Sequence, residues 1–292
     1  MNTEKALADS LGIPYKIKKI KIGKYLINYF EAGPPAGEAG AGKPLVLIHG
    51  GNIGWGQWYP NIPELSKHFK IYAIDMPGAG RSSKLDYAKL SFEKDYFEIL
   101  SKFLQKLNLK KPDVIGSSVG AWAAIKVAIK RGGINRLVAV NPVGFSNFAD
   151  LQGKMISHYW FAKFLTKTAY RPRDHKSIEK FLRSVFYNKN LELSQEFVEY
   201  FFETTETSHN LLFISKITSS LKPLLLLSDL PKLSNRILIM WGDRDKFLPL
   251  VESQKNFGLL KNSKISIFNS AGHIVNIEKG KEFNKVVLDF LL

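Results

Sequence analysis

Short apolar runs alternate with helical stripes along most of this chain. Residues 15–22 and 25–30 are β-like and read as two strands paired antiparallel at the start. Leu45-Val46-Leu47-Ile48 is a continuous apolar run that stops at His49-Gly50-Gly51, the pattern of a strand buried on both faces. Residues 71–74 repeat it and stop at Asp75-Met76-Pro77-Gly78. Phe92, Tyr96, Ile99, Leu100, Phe103, Leu104 and Leu107 then recur at helical spacing over 92–107. Further strands are predicted around Val114-Ile115 and over 137–140, 237–240 and 265–268. Helices are predicted over 121–130 and 283–292. Strands alternating with helices predict an α/β fold with a mainly parallel sheet.

One stretch breaks the rhythm. Residues 146–221 hold no clear buried strand but many aromatics, among them Tyr159, Trp160, Phe161, Phe164, Tyr170, Phe197 and Tyr200. Helices inserted between two strands are the natural reading. The chain therefore divides into a first part of the core over 1–145, a helical cap over 146–221, and a second part of the core over 222–292. The Gly/Pro/Ala-rich residues 33–43 read as a surface loop.

Composition narrows the chemistry. The chain has no cysteine, which excludes disulfide frameworks, thiolate nucleophiles and thiolate metal sites. No apolar signal segment is visible near the start, and no run approaches the length of a membrane span. The protein reads as soluble and cytoplasmic. Its formal net charge of +16 invites a nucleic-acid reading, but the lysines are scattered and no nucleic-acid motif accompanies them. Charge spread in this way favours solubility and weak attraction to anionic partners.

Gly116-Ser117-Ser118-Val119-Gly120 falls between the strand at Val114-Ile115 and the next helix, the context of a nucleophile elbow. A serine hydroxyl needs a base. Of the six histidines, only His273 follows the last strand, in Ser270-Ala271-Gly272-His273. His49 reads as a buried structural histidine. Asp243 and Asp245 compete for the acid in the loop after 237–240; Asp245, further into the loop, is the choice to orient His273, with Asp243 capping the turn or pairing with Arg244. Backbone N–H groups of Val119 and Gly51, with Asn52 next in line, are the expected oxyanion donors.

With these motifs assembled, the chain resembles the α/β-hydrolase superfamily over nearly its whole length. His49-Gly50-Gly51, Asp75-Met76-Pro77-Gly78-Ala79-Gly80-Arg81-Ser82, the serine pentapeptide, Gly242-Asp243-Arg244-Asp245 and Ala271-Gly272-His273 carry the likeness. It implies an α/β-hydrolase fold: a mostly parallel eight-stranded sheet flanked by helices, with an inserted helical cap. Ser118 argues against haloalkane dehalogenases and epoxide hydrolases, which are similar but carry aspartate at the elbow. The segment from Trp241 to Pro249 looks like that of meta-cleavage-product (carbon–carbon bond) hydrolases. Those usually place tryptophan after the histidine and asparagine before the serine, where this chain has Ile274 and Ser117. The tail after His273 is closer to esterases and lipases. The expectation is therefore a carboxylic-ester hydrolase working through an acyl-enzyme, with carbon–carbon bond hydrolysis or a non-catalytic receptor as alternatives. It calls for no metal and no organic cofactor. The aromatic cap suggests a small-molecule substrate with an apolar group.

Overall fold

The computed structural model describes residues 2–34, 42–147, 158–168, 175–204 and 209–292. Most of the loop expected over 33–43, and Tyr170 of the cap, lie outside the described residues. Eight strands form one sheet: β1 Tyr15–Ile22, β2 Tyr25–Ala32, β3 Lys43–Ile48, β4 Phe69–Ile74, β5 Asp113–Ser117, β6 Leu137–Val140, β7 Ile237–Gly242 and β8 Ser263–Phe268. Their order is β1-β2-β4-β3-β5-β6-β7-β8. β2 is antiparallel to both of its neighbours, and every pairing from β4 to β8 is parallel. The apolar runs that predicted central strands are buried on both faces: Leu45, Val46, Leu47 and Ile48 are inaccessible, as are Val114 and Ile115. β1 lies at one edge, where Lys16, Lys18, Lys19 and Lys21 guard the open ladder against pairing with another chain.

Among the described residues, the core has four helices of eight residues or more: α1 Thr3–Ser10, α2 Glu98–Lys106, α3 Val119–Lys130 and, closing the chain, Gly280–Leu291. The stripe over 92–107 opens with a wide turn, in which the Glu98 N–H reaches back to the Glu93 carbonyl, and only then runs on as α2. The closing helix is fastened from below by Arg136, which bonds Asp113 at 2.7 Å and the carbonyls of Phe290 and Leu291. The periodicity reading leaves out α1. It begins at Asn2, whose side chain accepts from the Lys5 N–H at 3.2 Å, and it buries Leu7 and Ala8. No helix among the described residues is long and apolar enough to cross a membrane.

Between β6 and β7 the chain inserts α4 Tyr159–Thr168, α5 His175–Val185, α6 Gln195–Thr204 and α7 His209–Ser219. Aromatic side chains lock this insert to the sheet domain. Phe213 of α7 meets Phe92 and Tyr96 at ring distances of 5.9 and 5.8 Å, and Tyr200 of α6 meets Trp55 at 5.6 Å. Such ring pairs add about 0.5–1.5 kcal/mol each beyond their burial. α1 reaches the insert too, through Thr3 and Glu203, and Glu203 also pairs with Arg81 at 2.8 Å.

Candidate active site

Strand order reverses at β3: the chain moves from β3 to β4 on one side and then crosses to β5 on the other. Loops leaving the carboxyl ends of β3 and β5 consequently diverge and leave a crevice, the usual ligand position in an open α/β sheet. Ser118 follows β5 directly, and His49-Gly50-Gly51 follows β3. A Cβ added to Gly50 would come within 2.9 Å of the Ser118 Cβ, so the two loops touch at the serine.

Ser118 is the residue before α3 and has φ 52° and ψ −116°, a conformation that costs about 1–3 kcal/mol for a side chain other than glycine. Its surroundings impose it. The Ser118 N–H donates to the Val140 carbonyl at 2.8 Å, and its own carbonyl accepts from Trp122 N–H at 3.1 Å and Val143 N–H at 3.2 Å. The turn is tight enough to exclude side chains on either flank. A Cβ on Gly116 would lie 2.6 Å from the Ala121 backbone, and one on Gly120 would lie 2.5 Å from the His49 carbonyl oxygen. Ser118 is 5% exposed.

The loop after β7 carries both aspartates, and the structure separates them. Asp243 pairs with Arg244 at 3.3 Å and accepts from the Ala271 N–H at 3.3 Å. Asp245 is buried and accepts the His273 Nδ1–H on Oδ2 at 2.7 Å. The same oxygen accepts Asn141 Nδ2 at 2.6 Å, while Oδ1 accepts the N–H groups of Phe247 at 2.8 Å and Leu248 at 3.0 Å. All four contacts come from donors, as a carboxylate requires. With Nδ1 carrying the proton, Nε2 of His273 is left as an acceptor. The imidazole lies against the ring of Phe247 at 5.5 Å.

The cap holds the histidine loop from above. The His273 N–H donates to the Val185 carbonyl at the end of α5, at 3.1 Å. Glu278 bridges the two segments, accepting from the Gly272 N–H and, at 2.7 Å, from the Asn188 N–H; burial raises its pKa above the usual glutamate range. Beneath the site runs a buried amide network. Gln57 accepts the Gly50 N–H at 2.8 Å and reaches Asn276 at 3.2 Å; Asn276 meets Asn61 at 3.0 Å, and Asn61 meets Asn284 at 2.9 Å. The Gly50 N–H is thereby occupied. Gly51 stands at φ 54° with open space around its Cα, and Val119, first residue of α3, has an N–H that the helix itself cannot use.

His49 is structural. It is fully buried, its Nε2 accepts the Met76 N–H at 3.0 Å, and its Nδ1 lies 3.2 Å from the Gly50 carbonyl. Burial pushes its pKa down to about 4, so it is neutral and ties the loop after β3 to the loop after β4. Among the described residues, no group of three His, Asp or Glu side chains is gathered that could hold a metal ion.

The sequence motifs bring Asp245 and His273 into contact and set Ser118 and Gly51 on adjoining loops. Asn141, Gln57, Asn276 and Glu278 escape motif reading because their partners are far away in the chain. Only Asn141 leaves a local trace, an Asn-Pro pair ending a strand.

With this geometry established, comparison with known proteins adds the family. The profile of the alpha/beta hydrolase fold matches residues 43–280. A 2-hydroxy-6-oxo-6-phenylhexa-2,4-dienoate hydrolase of Comamonas testosteroni is 24% identical over 288 residues, covering 94% of each chain. A 2-hydroxy-6-oxo-2,4-heptadienoate hydrolase of Pseudomonas putida is 28% identical over 264 residues, 87% of this chain and 91% of that one. Among solved structures, a meta-cleavage product hydrolase superposes with a TM-score of 0.75 at 24% identity, over 94% of this chain and 97% of its own. A carboxylesterase of Bacillus subtilis does so with a TM-score of 0.74 at 20% identity, over 99% and 96%. At these identities the superpositions speak for the fold alone.

Proposed function

The chain belongs to the alpha/beta hydrolase fold family, and from that premise we propose that it is a serine hydrolase whose nucleophile, base and acid are Ser118, His273 and Asp245. The observation that carries this reading is the 2.7 Å bond from His273 to a buried aspartate that accepts three further N–H groups. It sets the imidazole tautomer so that Nε2 can take the serine proton. In this mechanism Ser118 Oγ attacks a carbonyl carbon, and the N–H groups of Gly51 and Val119 receive the oxyanion. The imidazolium returns its proton to the departing group, and a water activated by His273 then hydrolyses the acyl-serine.

The bond to test first is carbon–carbon. Full-length relatives named as hydrolases of 2-hydroxy-6-oxo-dienoates support this over the ester expected from the sequence. In such a compound Ser118 would attack the 6-oxo carbon. The 2-hydroxyl proton must first move to carbon 5, so that collapse breaks the bond between carbons 5 and 6 with its electron pair delocalised onto the 2-oxygen, and the dienolate leaves as an enol after taking the imidazolium proton. An ester is the second reading. It is favoured by Ser117 and Ile274, which stand where resembling carbon–carbon hydrolases usually have asparagine and tryptophan.

Purified protein should be assayed against a 2-hydroxy-6-oxo-dienoate, read by loss of its visible absorbance, and against a short p-nitrophenyl ester. Ser118→Ala should lower the turnover found by roughly 10³-fold or more, and Asp245→Asn should cost far more than Asp243→Asn. Failure of a fluorophosphonate to label Ser118, with neither substrate consumed, would sink the hydrolase reading. A larger loss in Asp243→Asn would overturn the choice of acid.

A further inference from the structure

α4 turns two opposite faces outward and inward. Ala162 is fully buried and Leu165 packs beside it against the core that includes α7. On the other side Trp160 is 76% exposed, Phe164 61% and Phe161 39%. Positions 160, 161 and 164 fall within about 100° of one another around a helix, so the three rings make one apolar face. Three large aromatics on one helix turn are not the isolated exposed side chain that any surface carries.

Charge selects the occupant. Basic residues are scattered over the chain as a whole, but they are denser along the stretch of sequence that contains α4. From 154 to 176 the sequence carries Lys154, Lys163, Lys167, Arg171, Arg173 and Lys176 against a single acid, Asp174. Lys163 sits 5.1 Å over the Trp160 ring, placing an ammonium beside the aromatic that projects furthest. A second copy of this chain would bring a like-charged segment against this one. An anionic bilayer complements both features: its headgroups attract a basic segment whose Lys163 lies beside Trp160, and its interface takes Trp and Phe side chains to a shallow depth.

We propose that the α4 face docks the protein on anionic lipid membranes, as an interfacial helix that lies on the bilayer without spanning it. The proposal is independent of the bond cleaved, because its readouts need no substrate.

Trp160 provides its own probe. The other four tryptophans, Trp55, Trp58, Trp122 and Trp241, are almost wholly buried, so a change in emission on binding reports the α4 face. The full chain is titrated with vesicles of phosphatidylcholine, with and without phosphatidylglycerol, and binding is followed by sedimentation and by emission. The expected result is partition onto the anionic vesicles with a blue shift and reduced acrylamide quenching, weakened by added salt. Trp160→Ser/Phe164→Ser leaves Ala162 and Leu165 in place and keeps every charge. It should bind at least about tenfold more weakly with an unchanged circular dichroism spectrum, and so should Trp160→Phe/Lys163→Glu when binding is read by sedimentation. Absence of binding to anionic vesicles, or equally tight binding by the doubly serine-substituted chain, would overturn the proposal. So would a concentration-dependent dimer that shields Trp160 from acrylamide in vesicle-free buffer.

Discussion

Asn141 offers a sharp test of the acid–histidine arrangement, because one atom decides its role. Its side chain is inaccessible, its backbone stands at φ 44°, and its N–H is held by the Met240 carbonyl at 2.9 Å. Nδ2 donates to Asp245 Oδ2 at 2.6 Å, beside the bond from His273. Asn141→Asp keeps the size and tolerates the same backbone, but replaces that donor with a carboxylate oxygen. Two full charges at that separation would repel by about 6 kcal/mol at an effective dielectric of 20. The new pair avoids this by keeping one proton, in which case the introduced carboxyl donates to Asp245 much as the amide did.

Unfolded, both carboxyls titrate near about 4, whereas the repulsion moves loss of the second proton from the folded pair to roughly pH 8. The folded state therefore binds one more proton across that window, and stability falls with rising pH by about 1.4 kcal/mol per unit. Relative to wild type, the variant should be nearly neutral at pH 5 and about 4 kcal/mol less stable by pH 9. At roughly 2 °C per kcal/mol for a chain of this size, the Tm gap should widen by about 8 °C. Scanning calorimetry of both proteins across that range measures it. Turnover by the variant should fall over the same interval as the proton leaves. A Tm gap that is constant with pH would refute the reasoning, since it would mean that no proton is shared between positions 141 and 245.

Two other perturbations test the frame around the site. Gly120→Ala should destabilise by more than about 3 kcal/mol, because its Cβ meets the His49 and Ile48 carbonyls at 2.5 and 2.7 Å and neither strand end can retreat. Gly258→Ala, with nothing within 4 Å of its Cβ, should be tolerated; comparable melting of the two variants would contradict the steric account. Asp75 is buried, and burial together with the nearby charge of Glu4 raises its pKa to about 7. Its folded pKa lies above the unfolded value, so its contribution favours folding below about pH 4 and declines as pH rises to about 7. Glu4→Gln removes the second cause and keeps an oxygen for Trp55 Nε1 and Asn28 Nδ2. Denaturant unfolding should show the variant gaining on wild type between pH 5 and 8; a difference that does not grow with pH would exclude this coupling.

What could be read from the sequence follows the range of the interactions involved. Strands β3, β5 and β6 appear as apolar runs because parallel strands are buried on both faces, and Ser118 is legible because its turn demands glycines two residues away on either side. Chain order then leaves His273. α1 stays hidden because its anchoring residue, Glu4, is polar: it is buried only by virtue of Trp55 and Asn28, which donate to it from 51 and 24 residues away. The choice between Asp243 and Asp245 is local in sequence but not in cause. Asp243 is drawn to Ala271 and Arg244, and Asp245 is drawn inward by Asn141, which no spacing rule connects to it. Among the described cap aromatics, Phe186, Phe197, Tyr200, Phe201 and Phe213 are buried, yet Trp160, Phe161, Phe164 and Tyr187 are exposed; the aromatic content of 146–221 was legible, the division between its two faces was not.

The same long-range contacts restrain the loops that carry the strained serine and the histidine. Each candidate group hangs from a separate strand end: Gly51 after β3, Ser118 after β5, Asp245 after β7 and His273 after β8. Four loops that moved independently would blur their mutual geometry, and the proposed chemistry needs sub-ångström positioning. Direct bonds remove that freedom pair by pair. Asn141 ties the end of β6 to the aspartate, and Gln57 with Asn276 ties the Gly50 loop to the segment just past the histidine. Val185 and Glu278 then tie that segment to the cap. A displacement of the cap therefore cannot leave His273 untouched, because the backbone of α5 and the histidine loop share a hydrogen bond. The helices inserted between β6 and β7 are therefore one of the supports that hold His273 in place.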